Sequence, residues 1–426
     1  MRTAPFTTLF SHADLDSFYA SAERVYDPKL RHKPLIILSN NDSCAIARSD
    51  EAKALNIEMG TPFHKIQHLV KNNGLVALSS NYALYGDLSG RFMQLMSRFS
   101  PEIEIYSIDE CFLNMTGFET RDFRALLQDI RQTVLKLTGL PVCVGLAHTK
   151  VLAKMANKLA KASKTNPSGG VYSLRDPEVR EKALEAYPVE KVWGIGKKSA
   201  EKIRKYGIYT AKELRDADPI LVQKLLTVVG ARIQDELKGI SCIPLTMIAP
   251  EKQQIMSAKG FGKPVFELRE LEEACSTYLS RATEKLRKQG GYCQSISVFV
   301  ETNRYKNTDQ YFNQAHQALD TATNSTSVLA REASMLLKKL FREGIEYKKV
   351  GVILGDLATK VTPSLFDDRT IIQRDEKIFQ TVDKINALMG RDTLALGSAG
   401  IKKAWAMNSN FRSPLYTTEW DELPKV

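Results

Sequence analysis

The spacing of apolar residues changes twice along this chain, and those changes limit its fold more than any other feature. Over roughly residues 1–175, short apolar or β-branched runs alternate with stretches of helical spacing. TLFSHADLDSFYA, KPLIILSN, SCAIAR, IEIYSIDECFLNM and PVCVGLAHT read as strands, and residues 17–25, 81–99, 121–137 and the lysine-rich KVLAKMANKLAKAS read as helices. Such alternation builds a mixed α/β domain. TNPSGG at 165–170 punctuates the chain, and residues 176–245 then carry almost only helical spacing. Residues 253–355 alternate again, in the order β-α-β-α-β, which is a second small α/β unit. From about Ala358 the periodicity fades, and a partly ordered tail is expected. At 426 residues the chain exceeds one ordinary core and is expected to form two to four domains.

Charge narrows the partners. Sixty Lys and Arg face 49 Asp and Glu, a formal net charge of +11. A field of that sign attracts polyanions, nucleic acid foremost, although it also serves solubility. The six cysteines are scattered without a CxxC pair, which excludes a zinc ribbon and points to a reducing compartment. No apolar run is long enough to cross a bilayer, and the N-terminus lacks the order of a signal peptide. The expected setting is the cytoplasm, at the nucleoid, with no membrane partner.

Two acidic clusters carry the chemistry. In ADLDSFYA, Asp14 and Asp16 fall at i and i+2 of a strand and so share a face, with the carbonyl of Leu15 near it. In YSIDECF, Asp109 and Glu110 sit at the tip of a strand–turn–strand. Magnesium takes hard oxygen ligands in octahedral geometry, and two-metal phosphoryl transfer needs carboxylates converging from different strands. Acids among apolar neighbours would be costly if buried without cations, whereas exposed turn aspartates would need none.

Five ordered motifs, ADLDSFYAS, IARSDEAKALNI, YSIDECF, VGLAHTKVLAKMANKLAK and VWGIGKKSAEKI, resemble the Y-family DNA polymerases. SNNDSCAIAR, SSNYALYGDLS, IEIYSIDE and FRSPLYTTEWDELPKV resemble its UmuC-type branch in particular, so the likeness spans the chain. The resemblance implies a multidomain α/β right hand. Its palm would be 1–30 and 80–175, its small fingers 31–79, and its helical thumb with a helix–hairpin–helix 176–245. An α/β little finger would follow at 253–357, and 358–426 would be a C-terminal tail for partner contacts. The implied activity is error-prone translesion synthesis, adding dNTPs to the primer of a primer–template during SOS-type damage response and mutagenesis. By the same resemblance two Mg2+ ions are held by Asp14, Asp109, Glu110 and the Leu15 carbonyl. Tyr19 falls at the steric gate beneath the sugar, with Phe18 beside it. Arg48, Lys53 and Lys161 match contacts to the triphosphate, while Lys154, Lys158 and Lys164 are compatible with a solvated helix face.

The remaining sites concern DNA and partners. Gly194 and Gly196 permit a tight turn whose amides can receive a phosphate, and Lys197 and Lys198 add charge. Lys259 and Lys263 flank glycines on a strand, and Arg304 follows the next strand; all three are candidate backbone contacts. The family resemblance implies a processed UmuD-like dimer and a RecA filament as partners. Leu365–Phe366 is similar to a clamp-docking peptide, with Thr362 where its leading Gln would stand. Two other readings stay open at this level: a non-catalytic DNA-binding scaffold with the polymerase fold, and a metal-dependent nuclease. The intact acids argue against the first, and the absence of an accompanying His or Lys base argues against the second.

Overall fold

The computed structural model describes residues 6–118, 122–163, 169–248, 250–360 and 369–423. The chain divides into two compact units. One comprises Met1–Leu38, Cys44–Ala249 and Phe411–Val426, and the other Ser39–Ser43 and Pro250–Asn410.

The first unit is built on a five-stranded sheet in the order Ile103–Ile105, Glu110–Asn114, Phe10–Leu15, Val142–Ala147, Val171–Ser173. Phe10–Leu15 is central and antiparallel to both neighbours. All six of its residues are buried, because helices cover both faces. Strand alternation sorts them. Ala13 and Leu15 join a core with Phe92, Leu127, Ile130 and Val134 from the helices Tyr82–Met96 and Phe123–Thr138. Phe10 joins a second core with Val151, Leu152 and Met155 of the helix Lys150–Ala162. His12 and Asp14 share the parity of Phe10, so they face that lysine-bearing helix. A separate three-stranded sheet (Ala45–Arg48, Leu35–Leu38, Val76–Ser79) encloses a small core around Ile36, Leu38 and Ile57. Helices Pro177–Ala186, Lys197–Arg204, Ala211–Asp216 and Pro219–Leu237 supply the all-helical segment. Asp176 caps the first of them, and a Thr210–Glu213 capping box starts the third.

The second unit is a four-stranded antiparallel sheet ordered Phe312–Thr323, Tyr292–Thr302, Tyr347–Ala358, Ile255–Val265. Helices Leu268–Lys288 and Thr326–Leu340 share its hydrophobic core. Its order is β-α-β-β-α-β, one strand more than the sequence suggests. The extra strand, FNQAHQALDTAT, is an edge strand with most side chains exposed, so it has no apolar alternation to reveal it. The tail also departs from expectation. Arg369–Met389 is a 21-residue helix tied down by polar contacts. Arg287 pairs with Asp383 at 2.7 Å, the Tyr292 hydroxyl donates to Glu376 at 2.6 Å, and the Ser325 hydroxyl donates to Asp375 at 2.5 Å.

Candidate active site

Register builds the centre of the site. In the antiparallel ladder Asp14 lies opposite Glu110 on one side and Cys143 on the other. Asp14 and Glu110 therefore project from adjacent strands onto the same face. The Leu15 amide donates to the Asp109 carbonyl at 2.9 Å, which brings the acidic turn against the end of the central strand. That strand ends at Leu15, so the same-face argument does not extend to Asp16, whose amide donates to the Pro141 carbonyl. Ser17 then adopts a left-handed conformation (φ 49°) and the chain turns into the helix Phe18–Tyr26.

The opposing cations come from one helix. Its approach requires Gly145: a Cβ there would lie 2.1 Å from the Asn157 amide nitrogen and 2.5 Å from the Ala153 carbonyl oxygen. Asn157 also ties helix to sheet, donating to the carbonyls of His12 (3.0 Å) and Cys143 (2.6 Å). At the helix start Thr149 caps Leu152, and its hydroxyl donates to the Glu236 carbonyl. Held this way, Lys161 reaches Asp14 at 2.5 Å and Lys154 reaches Glu110 at 3.0 Å. The Lys154 ammonium also sits 4.0 Å from the Tyr106 ring centroid. Lys154 is thus a site residue rather than solvated decoration, while Lys158 is exposed as that reading expects. Lys164 lies outside the described residues.

The electrostatics are those of carboxylates crowded together. Burial, reinforced by the Glu110 carboxylate, pushes Asp14 up to about 7 despite Lys161. Burial opposes ionisation of Glu110 too, but its hydrogen bond with Asp14 and the nearby Lys154 ammonium hold it below the usual range. His12 is fully enclosed and burial pushes it down to about 3, so it is a neutral wall of the site. Asp109 accepts from the Ser107 hydroxyl at 2.6 Å. Among the described residues no three acids, histidines or cysteines stand in a ready ligating arrangement. The donors nevertheless suit a hard divalent cation: all are oxygens, buried Asp14 lies within hydrogen-bond reach of half-buried Glu110, and lysines neutralise both.

The nucleotide-side residues distribute unevenly. Lys53 donates to the Ser17 hydroxyl and to Asp50, both at 2.9 Å, so it sits beside the helix that carries Tyr19. Tyr19 is half-buried and stacks on Tyr85 with centroids 4.3 Å apart and rings 14° from parallel. Phe18 is buried in the hydrophobic core. The Arg48 guanidinium is engaged by the Ile57 carbonyl at 2.7 Å, so it braces the three-stranded sheet. Ala45 and Ala47, the small residues of that sheet, are buried in cores.

The candidate DNA contacts lie elsewhere in each unit. Gly194, Gly196, Lys197 and Lys198 are all exposed at the start of the helix Lys197–Arg204. Gly194 has φ +89°, and a Cβ there would lie 2.6 Å from the Ile233 side chain, so the turn demands glycine. Lys259 and Lys263 are on the edge strand Ile255–Val265, and Arg304 is exposed and reaches Glu301 at 3.5 Å. Burial, then Arg281, Arg391 and Lys285, lower Lys259, which marks a cluster of like charge. Gly262 proves to serve the chain's own packing, since a Cβ there would lie 2.3 Å from the Ala406 carbonyl oxygen. The Leu365–Phe366 segment lies outside the described residues.

The chain matches the impB/mucB/samB family over residues 13–158 and that family's C-terminal domain over 252–365. A domain of unknown function (DUF4113) matches over 376–426. The chain is 39% identical over 422 residues to Protein UmuC of Salmonella typhimurium, covering 98% of this chain and 100% of that protein. It is 37% identical to Protein SamB of Salmonella typhimurium over 98% and 99% of the two chains. It is 25% identical to DNA polymerase IV of Desulfatibacillum aliphaticivorans over 91% and 95%. A Y-family DNA polymerase chimera, Dbh-Dpo4(243-245)-Dbh, superposes with a TM-score of 0.65 at 20% identity, over 83% of this chain and 100% of that one; that likeness shows the fold. With the whole length of UmuC matched and paired carboxylates at the centre of the polymerase fold, the chain belongs to the impB/mucB/samB family and is a UmuC-type Y-family DNA-directed DNA polymerase.

Proposed function

We propose how this translesion polymerase of the DNA damage response performs its reaction: it extends a primer by nucleotidyl transfer centred on Asp14, Asp109 and Glu110. The observation that carries the proposal is the pairing of Asp14 with Glu110 across adjacent strands, faced by Lys161 and Lys154. Those three carboxylates and the Leu15 carbonyl would hold two Mg2+ ions. When bound, the ions would favour ionisation of the primer 3′-hydroxyl and neutralise charge on the departing pyrophosphate. Lys161 and Lys154, which pair with these acids in the structure, would be placed to face the triphosphate, as would Lys53 of the fingers. Tyr19 lies under the sugar and excludes a 2′-hydroxyl.

The palm would be 1–30 and 80–175, the fingers 31–79, the thumb 176–245, the little finger 253–357 and the partner-contacting tail 358–426. Primer–template would be gripped by the Gly194–Lys198 turn and by Lys259, Lys263 and Arg304. UmuC-type kinship further suggests a processed UmuD-like dimer and a RecA filament as partners.

Single-nucleotide extension with Asp109→Ala and Glu110→Ala tests the metal assignment. Each should lose at least about a thousandfold in rate, because developing charge is left uncompensated. Primer–template affinity should stay within about twofold, since these groups hold no phosphate. Either variant retaining a tenth of the wild-type rate would remove its residue from the catalytic set.

A further inference from the structure

The residue proposed to gate the sugar does not stand alone. The Tyr19 ring lies flat against Tyr85, whose side chain is fully buried. The Tyr85 hydroxyl donates to Glu23 Oε1 at 2.7 Å. Tyr19 and Glu23 are four residues apart on the helix Phe18–Tyr26, so one helix face holds Tyr85 by its ring and by its hydroxyl.

The chain's own C-terminus completes this arrangement. Ser413 donates to the same Glu23 Oε1 at 3.0 Å. Asn81, which caps the helix Tyr82–Met96, donates to the Ser413 hydroxyl at 2.9 Å and to the Pro414 carbonyl at 3.0 Å. The adjoining backbone is pinned as well. The Ser79 amide donates to the Phe411 carbonyl, and the Phe411 amide donates to the Ser79 hydroxyl, both at 3.0 Å. Tyr416 stacks on Tyr26 with centroids 5.1 Å apart. Glu23 is 1% exposed, Asn81 1% and Ser413 7%, so the network is sealed from water. Burial raises the Glu23 carboxyl above its usual range, and hydrogen bonds from Tyr85 and Ser413 oppose that rise. A buried carboxylate deprived of a donor must reorganise, and what it touches is Tyr85.

We propose that residues 411–416 act as a strut for the nucleotide pocket, with Ser413, Glu23 and Tyr85 as positioning residues that set sugar discrimination through Tyr19. The inference rests on the reading of Tyr19 as the gate. A gate must hold its ring to a fraction of an ångström to separate a hydrogen from a hydroxyl at the 2′ carbon. The strut therefore ties sugar selectivity to a segment of chain that lies far from the acids in sequence.

The test uses the full-length protein and measures kcat/KM for matched rNTP and dNTP on one primer–template. Tyr85→Phe and Ser413→Ala should each raise the rNTP/dNTP ratio about threefold to tenfold, the size expected from one buried hydrogen bond acting through ring position. Glu23→Gln keeps an oxygen that accepts from both hydroxyls and should stay near the wild-type ratio. Tyr19→Ala runs alongside as the reference. A ratio that rises in Tyr19→Ala but not in Tyr85→Phe or Ser413→Ala overturns the strut and leaves the gate standing. An unchanged ratio in Tyr19→Ala removes the gate and the strut together. Glu23→Gln matching Ser413→Ala would also overturn the strut, because the retained acceptor would then not be what holds the ring. Thermal midpoints separate these outcomes from unfolding, and Ser413→Ala alone decides if Tyr85→Phe does not fold.

Discussion

Gly145→Ala should damage activity far more than the addition of one methyl group suggests. The new Cβ would sit 2.1 Å from the Asn157 amide nitrogen and 2.5 Å from the Ala153 carbonyl oxygen, and both are backbone atoms of the helix Lys150–Ala162. Backbone cannot swing aside as a side-chain tip can, so helix and sheet must part by about 1 Å to reach van der Waals contact. Overpacking of this kind costs about 1–3 kcal/mol, which shifts the midpoint of a unit this size by roughly 2–10 °C. The same movement withdraws Lys161 from Asp14 and Lys154 from Glu110, now 2.5 and 3.0 Å apart. A displacement of about 1 Å at reacting groups lowers kcat on the order of a hundredfold. Single-turnover extension, performed well below the midpoint, reads this directly. Gly90→Ala is the control: Gly90 is exposed in the helix Tyr82–Met96 with nothing near its missing Cβ. It should gain about 0.5–1 kcal/mol and keep full activity. Wild-type kcat in a folded Gly145→Ala protein would refute the claim that this glycine sets the distance between helix and acids.

Two further predictions concern charge. Neutralising Lys259, Lys263 and Arg304 together should weaken primer–template binding and flatten the log–log salt slope by up to about three units, with extension unchanged at saturating DNA. An unaltered slope would show that these cations meet no phosphate. Lys150→Met and Lys161→Met should fail in opposite ways. The first leaves the buried Glu104 unpaired and should cost about 3–5 kcal/mol of stability, read by denaturant unfolding. The second, at a partly exposed pair, should stay within about 1 kcal/mol of wild type but lose extension rate. Equal stability losses in both would contradict the difference in burial on which the contrast rests.

The parts of the fold legible in sequence are those whose signal is local. ADLDSFYA and YSIDECF announce strands with acids at one end because a short apolar run and the acids fall within a few residues. The four helices between Pro177 and Leu237 show themselves through caps and apolar spacing. What sequence conceals is what depends on a distant partner. Lys154 looks like any helix-face lysine, and its acid stands 44 residues away on a strand whose register no local pattern reveals. Ser413 and Glu23 are 390 residues apart. The strand Phe312–Thr323 is missed because most of its side chains are exposed and it is held by backbone pairing, which a search for apolar period does not detect. The helix Arg369–Met389 does carry helical spacing in Phe379, Val382 and Ile385, so its signal is local and the expectation of a partly ordered tail overlooks it.

The lysine helix explains why an acidic centre can sit inside this fold at all. Lys150, Lys154 and Lys161 are spaced so that each meets an acid from a different strand: Glu104, Glu110 and Asp14. The three pairs differ in depth. Lys150 and Glu104 are almost fully buried, and each has a further backbone partner, the Pro244 carbonyl and the Thr246 amide. That pair is held within the protein and shielded from a ligand by its burial. The outer two pairs are partly open to solvent, so their ions can exchange partners at lower cost. The gradient thus divides one repeated motif into a structural anchor and a working pair. In the structure the outer lysines neutralise the acids, and cations or a triphosphate bound there could take over those pairs without unfolding the helix that holds them.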